Sequence, residues 1–150
     1  MKLRGFEIIH EYQQADILLP ARKTQASAGY DIACARDAII RPGAVCLVET
    51  GLKAYMPEDE YLAVHIRSGL SVRYGLSLIN GQGIIDSDYY NNSENEGHIL
   101  IALVNHSDTD VCISKGTRIA QGIFQKYLIA DHDGQARQIR SGGFGSTGVK

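Results

Sequence analysis

The apolar residues of this chain come in short runs, and a turn signal closes nearly every one of them. Ala44 to Glu49 lies between Arg41-Pro42-Gly43 and Thr50-Gly51, and Leu52 to Met56 ends at Pro57-Glu58-Asp59-Glu60. Tyr61 to Ile66 alternates large and small residues as a strand does. Leu76 to Ile79 stops at Asn80-Gly81, and Val111 to Ile113 at Ser114-Lys115-Gly116. Sixteen glycines point to turns and close backbone approach rather than to long helices. Many short strands punctuated in this way predict an all-β fold: a sandwich, a barrel or a jelly roll.

The remaining segments fit that plan. Gly5 to His10 reads as a first strand, Ile17 to Pro20 as a short extended piece, and Ala28 to Ala35 as a strand entered through Gly29. Gly69 to Tyr74 suits one short helix, with Ser68 as N-cap and Gly75 closing it. Asn80-Gly81 is a hairpin signal, so Gly83-Ile84-Ile85 is expected to return as the second arm. Tyr90 to Gly97 is polar and strand-breaking, an excursion loop. His98 to Asn105 is the most apolar strand and should be central, while Arg118 to Phe124 and Tyr127 to Ala130 complete the β region. On a regular strand Arg118 and Gln121 face opposite sides, which leaves Arg118 a structural or interface residue. Beyond Asp131 no period is visible, and the end of the chain is a glycine-rich tail around Phe144.

One hundred and fifty residues make a single domain with a real core. A net charge of −2 gives no general electrostatic reason to bind nucleic acid or an anionic membrane. A small anion needs only a few local arginines. Three widely spaced cysteines support neither a disulfide framework nor a zinc site. No apolar run approaches a signal peptide or the roughly 18 residues of a membrane span, so a cytosolic protein is expected.

Four stretches carry chemistry. In Gly83-Ile84-Ile85-Asp86-Ser87-Asp88-Tyr89 a strand pattern ends in two carboxylates and a tyrosine. Asp86, just after apolar residues, is placed for general-base work; the alternative is a solvated turn. Asp31, inside an apolar-leaning strand, needs an ion pair or a functional site to offset its burial. Arg67-Ser68-Gly69, at a strand-to-helix corner, offers a cation, a hydroxyl and backbone N–H groups to a phosphate. In the tail, an arginine, an aromatic and two hydroxyls among glycines read either as a linker or as a ligand-closing arm. His65 should be packed or hydrogen-bonded rather than a ligand, and no P-loop or dinucleotide fingerprint is present.

Five of these segments occur in a recognisable order. Ala28-Gly29-Tyr30-Asp31-Ile32, Arg67-Ser68-Gly69-Leu70, Gly83 to Tyr89, Arg118-Ile119-Ala120-Gln121 and Gly142 to Gly148 resemble the five motifs of the trimeric dUTPase family. The resemblance implies a β-clip or jelly-roll subunit with one short helix. It also implies a C-terminal arm, residues 131–150, that closes over a neighbouring active site of a homotrimer. The activity implied is hydrolysis of dUTP to dUMP and diphosphate with Mg²⁺.

By the same resemblance Asp86 activates the attacking water, and Arg67, Ser68, Gly69 and Gln121 bind phosphates. Asp31 holds waters of the magnesium shell, and Tyr89 packs beneath the deoxyribose. Phe144 stacks over uracil beside Gly145, with Ser146 and Thr147 reaching phosphate. The arm arginine is Arg140, with Arg137 as rival. Uracil presents acceptor, donor, acceptor along its pairing edge, which the backbone around Asn80, Gly83 and Ile85 can complement. Ile66 stands where the family often has proline, and Tyr90 to Gly97 is longer than the usual Arg-Gly turn. Two rivals remain, a dCTP deaminase and a non-catalytic nucleotide- or protein-binding jelly roll. The deaminase needs a glutamate in the strand after the turn, and His98 to Asn105 has no acid.

Overall fold

The computed structural model describes residues 1–133, 140, 142–145 and 148. Seven strands precede the helix: β1 (Gly5–Ile8), β2 (Ala21–Arg22), β3 (Tyr30–Ala33), β4 (Ala38–Ile40), β5 (Val45–Glu49), β6 (Leu52–Tyr55) and β7 (Glu60–Ile66). The helix, α1 (Ser68–Tyr74), leads into β8 (Leu76–Leu78), β9 (Gly83–Asp86), β10 (Leu100–Asn105), β11 (Val111–Ile113) and β12 (Arg118–Lys126). The largest sheet runs β2-β3-β12-β7-β9, a second runs β5-β10-β8, and β1–β6 and β4–β11 form pairs. This is a jelly-roll-like, all-β arrangement with one short helix.

The two larger sheets share a core. Ile32 of β3, Leu62 of β7, Leu76 of β8, Leu103 of β10 and Ile119 of β12 are all within 1% of complete burial. Each such side chain contributes about 1.5–3 kcal/mol relative to exposure. β10 is central to its sheet, as expected, and every residue from Ile101 to Asn105 is buried. Its buried end is satisfied because Asn105 Nδ2 donates to the carbonyls of Ile40 and Thr109, both at 2.8 Å. The three cysteines are free.

Local expectations are corrected in several places. The Asn80-Gly81 turn forms, with the Gly81 N–H on the Leu78 carbonyl at 3.1 Å, but it is not a hairpin. β8 pairs with β10 and β9 pairs with β7, in different sheets. Asn-Gly fixes a chain reversal, while the apolar ladders offered by β10 and β7 decide where each arm pairs. Ser68 is not the N-cap. Arg67 holds that position in an extended conformation, and no side chain caps the helix. Gly75 does close it, at φ 66°.

β1 stops at Ile8, and a 3-10 turn, His10–Tyr12, then buries Tyr12. Tyr127 to Ala130 adds no strand, since β12 ends at Lys126. Tyr90 to Gly97 is an excursion loop, as expected, and its polar groups are internally bonded. Asn92 Oδ1 accepts the N–H groups of Glu94 and Asn95, while buried Lys53 of β6 donates to Asn91 and Glu96 at 2.7 Å each.

Candidate active site

A pocket of about 300 Å³ opens at the corner where β8 gives way to β9. Asn80, Gln82, Gly83, Ile84 and Ile85 form one wall, and Leu78, Val64 and Leu100 to Ala102 form another. β9 is the outer strand of the five-stranded sheet and β8 the outer strand of the three-stranded sheet. Their outer edges have no ladder partner among the described residues, so backbone N–H and C=O groups are available at the pocket's lip. The chain's change of sheet therefore does what a hairpin would not: it leaves two edges unpaired around one cavity.

Tyr89 lines this pocket from a 3-10 turn, Ser87–Tyr89, that follows β9 directly. Its hydroxyl donates to the His98 carbonyl at 2.6 Å and accepts from Asn95 Nδ2 at 2.8 Å. Burial pushes the phenol above its ordinary value, so it stays neutral and rigid as a platform. Asp86 is the one carboxylate among the lining residues. Its Oδ2 accepts from Arg140 Nη2 at 2.5 Å, and Arg140 Nε donates to Asp88 Oδ1 at 2.7 Å. Gly143 and the exposed Phe144 complete the mouth. His65 makes the hydrogen bond expected of it, to Gln82 at 3.3 Å.

A second concavity gathers Gly29, Asp31, Arg67, Ser68 and Gln121, with Lys23 and Ser27 beside them. Asp31 and Gln121 stand opposite each other in the β3–β12 ladder, next to His65 of β7. Arg67 leaves β7 with its N–H on the Ile119 carbonyl, and its Nε lies 3.4 Å from Asp31 Oδ1. A Cβ at Gly29 would overlap the Gln121 amide, so only glycine lets that side chain lie across the strand. The result is two arginines around one aspartate, beside a helix start.

Arg118 is the second of those arginines. A β-bulge between Arg118 and Ala120 shifts the register, and Arg118 Nη1 comes within 3.4 Å of Asp31 Oδ2. Arg118 and Gln121 therefore converge on Asp31 instead of pointing to opposite faces. Ile119 and Ala120, at that shift, are both fully buried.

The two clusters do not meet within one chain. Asp86 stands opposite Tyr61 at the start of β7, and Arg67 follows the end of that strand. At about 3.3 Å per residue the separation is roughly 20 Å. A triphosphate cannot bridge it.

A family model described as dUTPase matches residues 15–148. The chain belongs to the dUTPase family. A deoxyuridine 5'-triphosphate nucleotidohydrolase of Lactococcus lactis subsp. lactis is 49% identical over 150 residues, covering 99% of this chain and 100% of the relative. One from Caulobacter vibrioides is 36% identical over 143 residues, covering 90% and 88%. The crystal structure of the dUTPase from Streptococcus mutans superposes with a TM-score of 0.81 at 46% identity, covering 85% of this chain and 98% of that one. The dUTPase of phage phi11 of S. aureus shares the fold, with a TM-score of 0.73 at 19% identity over 93% and 99% of the two chains. The structure of a variant of that phage protein reveals details of the coordination of a structural Mg(II) ion.

Of the motif residues assigned by family resemblance, the fold groups Asn80, Gly83, Ile85, Asp86, Tyr89, Arg140 and Phe144 at one pocket. It groups Asp31, Arg67, Ser68 and Gln121 at the other. Gly69 adjoins Ser68 in α1, and Gly145 follows Phe144. Ser146, Thr147 and Arg137 lie outside the described residues. Gln82, Arg118 and Lys23 join the dUTPase clusters without having been anticipated, because only pairing and register bring them there. No helix among the described residues is long and apolar enough to cross a membrane.

Proposed function

We propose that the chain is a dUTP diphosphatase that hydrolyses dUTP to dUMP and diphosphate, limiting uracil in DNA and supplying dUMP for dTMP synthesis. The observation that carries this reading is Asp86: a single carboxylate at the rim of a pocket whose lip is unpaired backbone. Asp86 takes a proton from a water, the water oxygen bonds to the α-phosphorus, and the bond to the β-phosphate bridging oxygen breaks. Diphosphate leaves. Attack on phosphorus needs positioning and charge neutralisation above all, so one base suffices. The backbone at the lip reads uracil and Tyr89 closes the sugar side, where a 2′-hydroxyl would have no room. Phe144 roofs the base.

Arg67, Ser68, Gly69 and Gln121 take the phosphates, with Arg118 as a further cation and Asp31 beside them. Because that cluster lies roughly 20 Å from Asp86 along β7, a second copy of the chain must supply it. A closed ring of three copies meets the need with three identical sites.

The oxygen donors suit Mg²⁺ carried by the triphosphate. Asp31 faces two guanidinium groups at 3.4 Å and is left to touch the ion's waters, and no metal-holding group of three His, Cys, Asp or Glu exists among the described residues. When bound, the ion neutralises phosphate charge. The protein works in the cytosol, or in the host's cytosol if the gene is viral. Deamination has no support, since Leu100, Ile101 and Ala102 are what β10 gives the pocket. Incubation with dUTP, dCTP, TTP and UTP in Mg²⁺, with product identification, should yield dUMP and diphosphate from dUTP alone. Absence of both products removes the reading.

A further inference from the structure

The reaction gives the Tyr90–Gly97 loop no task, and none of its residues lines the pocket. The loop does return to Tyr89, which lines it. Asn92 Nδ2 donates to the Tyr89 carbonyl and Asn95 Nδ2 to the Tyr89 hydroxyl, both at 2.8 Å. One loop thus holds the tyrosine at two places, its main chain and the far end of its ring. The ring needs this second hold, because the χ2 preference of a tyrosine is broad and does not fix the ring plane.

The hydrogen bonds run in one direction. Asn92 Oδ1 accepts the N–H groups of Glu94 at 3.0 Å and Asn95 at 3.1 Å, which an amide nitrogen could not do. The Asn92 nitrogen therefore faces Asn95 and donates to its Oδ1 at 2.8 Å. Asn95 Oδ1 also accepts the Gly97 N–H at 3.1 Å, which leaves the Asn95 nitrogen for the Tyr89 hydroxyl. Met by a donor on that side, the hydroxyl gives its one proton to the His98 carbonyl at 2.6 Å. Backbone N–H groups dictate, through two amides, where the phenol points. Asn92 is 8% exposed and Tyr89 6%, so water competes weakly for these groups. The loop itself is clamped to β6 by Lys53. At Gly97, with φ 88°, a Cβ would lie 2.8 Å from the Tyr89 carbonyl oxygen, so the loop closes directly on the tyrosine's main chain.

We propose that Asn95 is a positioning residue for sugar discrimination. Through the Tyr89 hydroxyl it sets how far the ring stands into the pocket, and so the room left at C2′ of the nucleotide. Excluding one extra oxygen demands a wall held within about 0.5 Å. The choice of a deoxyuridine nucleotide as ligand rests on the diphosphatase reading; the chain of hydrogen bonds does not. Asn92 orients Asn95, Asn95 orients Tyr89, and neither asparagine touches the ligand.

Asn95→Asp isolates the contact. It keeps the oxygen that binds Asn92 and Gly97 and replaces the donor facing Tyr89 by an acceptor, so the hydroxyl turns from His98 to the carboxylate. In wild type, Asn95→Asp, Tyr89→Phe and the double variant, kcat/KM is measured for dUTP and UTP, and dUMP and UMP binding by calorimetry. Asn95→Asp should lower the dUTP-to-UTP ratio about tenfold, part of the roughly hundredfold that a full ångström of misplacement costs. Tyr89→Phe, which keeps the ring and loses the tether, should lower it by a similar factor. The double variant should fall no further than Tyr89→Phe alone, and the monophosphate pair should change in the same sense. A loop that serves folding alone would depress both nucleotides together and leave the ratio unchanged, which overturns the proposal. Losses that multiply in the double variant overturn it too. A wild type that prefers neither sugar removes the diphosphatase reading and this proposal with it; a discriminating wild type beside an equally discriminating Asn95→Asp removes the proposal alone.

Discussion

Asp86 and Asp88 are two residues apart and chemically alike, and their surroundings give them different work. Asp86 borders the pocket; Asp88 does not, and both reach Arg140. Asp86→Asn keeps the side chain's shape and removes its capacity to take a proton. Turnover should fall by about 10²–10⁴-fold, the usual contribution of a positioned base, while dUMP binding measured by calorimetry changes little. Turnover near the wild-type rate would remove Asp86 as the base. The aspartate in β3 is a different case. Asp31 sits between Arg67 and Arg118, and its ion pairs answer the question its burial raises without excluding contact with a hydrated metal.

At the scale of elements, the Tyr90–Gly97 loop is the part that sequence patterns describe least well. Its polarity marks an excursion loop and no more, whereas its polar groups bond mostly to one another and to Lys53, which is 8% exposed. Lys53→Met should leave Glu96 and Asn91 without that partner and destabilise the fold by roughly 1–3 kcal/mol. For a domain of this size that is about 2–4 °C in Tm per kcal/mol. Hydrogen exchange should rise first in the loop; a variant with unchanged melting and exchange would show that the buried lysine carries no such load. The β12 bulge is the other element that local reasoning misreads. A single shift of register brings Arg118 to Asp31, and no local pattern in the sequence announces it.

For the whole molecule, His98 links the core to the pocket. Its Nε2 accepts the Gly51 N–H at 3.0 Å, its ring packs on Tyr12 at 5.5 Å, and its carbonyl receives the Tyr89 hydroxyl. Burial lowers the imidazole below its ordinary 6.5. The unfolded chain therefore binds this proton more readily than the folded one, and stability rises with pH. The contribution is complete above about 6.5 and is lost as pH falls through the lower folded value. Glu60 adds a later loss. Its hydrogen bond from Arg4 holds its carboxyl below the ordinary 4.5, so that contribution is present above 4.5 and disappears as pH falls through the depressed value. Melting curves between pH 8 and 5 should show wild type losing more Tm than His98→Gln, whose amide oxygen can still accept from Gly51. Equal slopes would assign the acid sensitivity elsewhere.

The chain's own residues determined the all-β class, the place of the short helix, the central apolar strand and the order of five motifs. Those are properties of local pattern: apolar runs, turn residues and spacing are written along the sequence. They also marked Asp86, Arg67 and Phe144 as residues with chemistry to do. Only the tertiary structure decided that β8 and β9 part company at Asn80-Gly81, that Arg118 faces Asp31, and that Arg140 lies across Asp86 and Asp88. It also separated the motifs into two clusters too distant to share one nucleotide within a chain. Pairing partner, register and side-chain contact depend on competition among residues far apart in the sequence, and a one-residue shift reverses which face a side chain occupies.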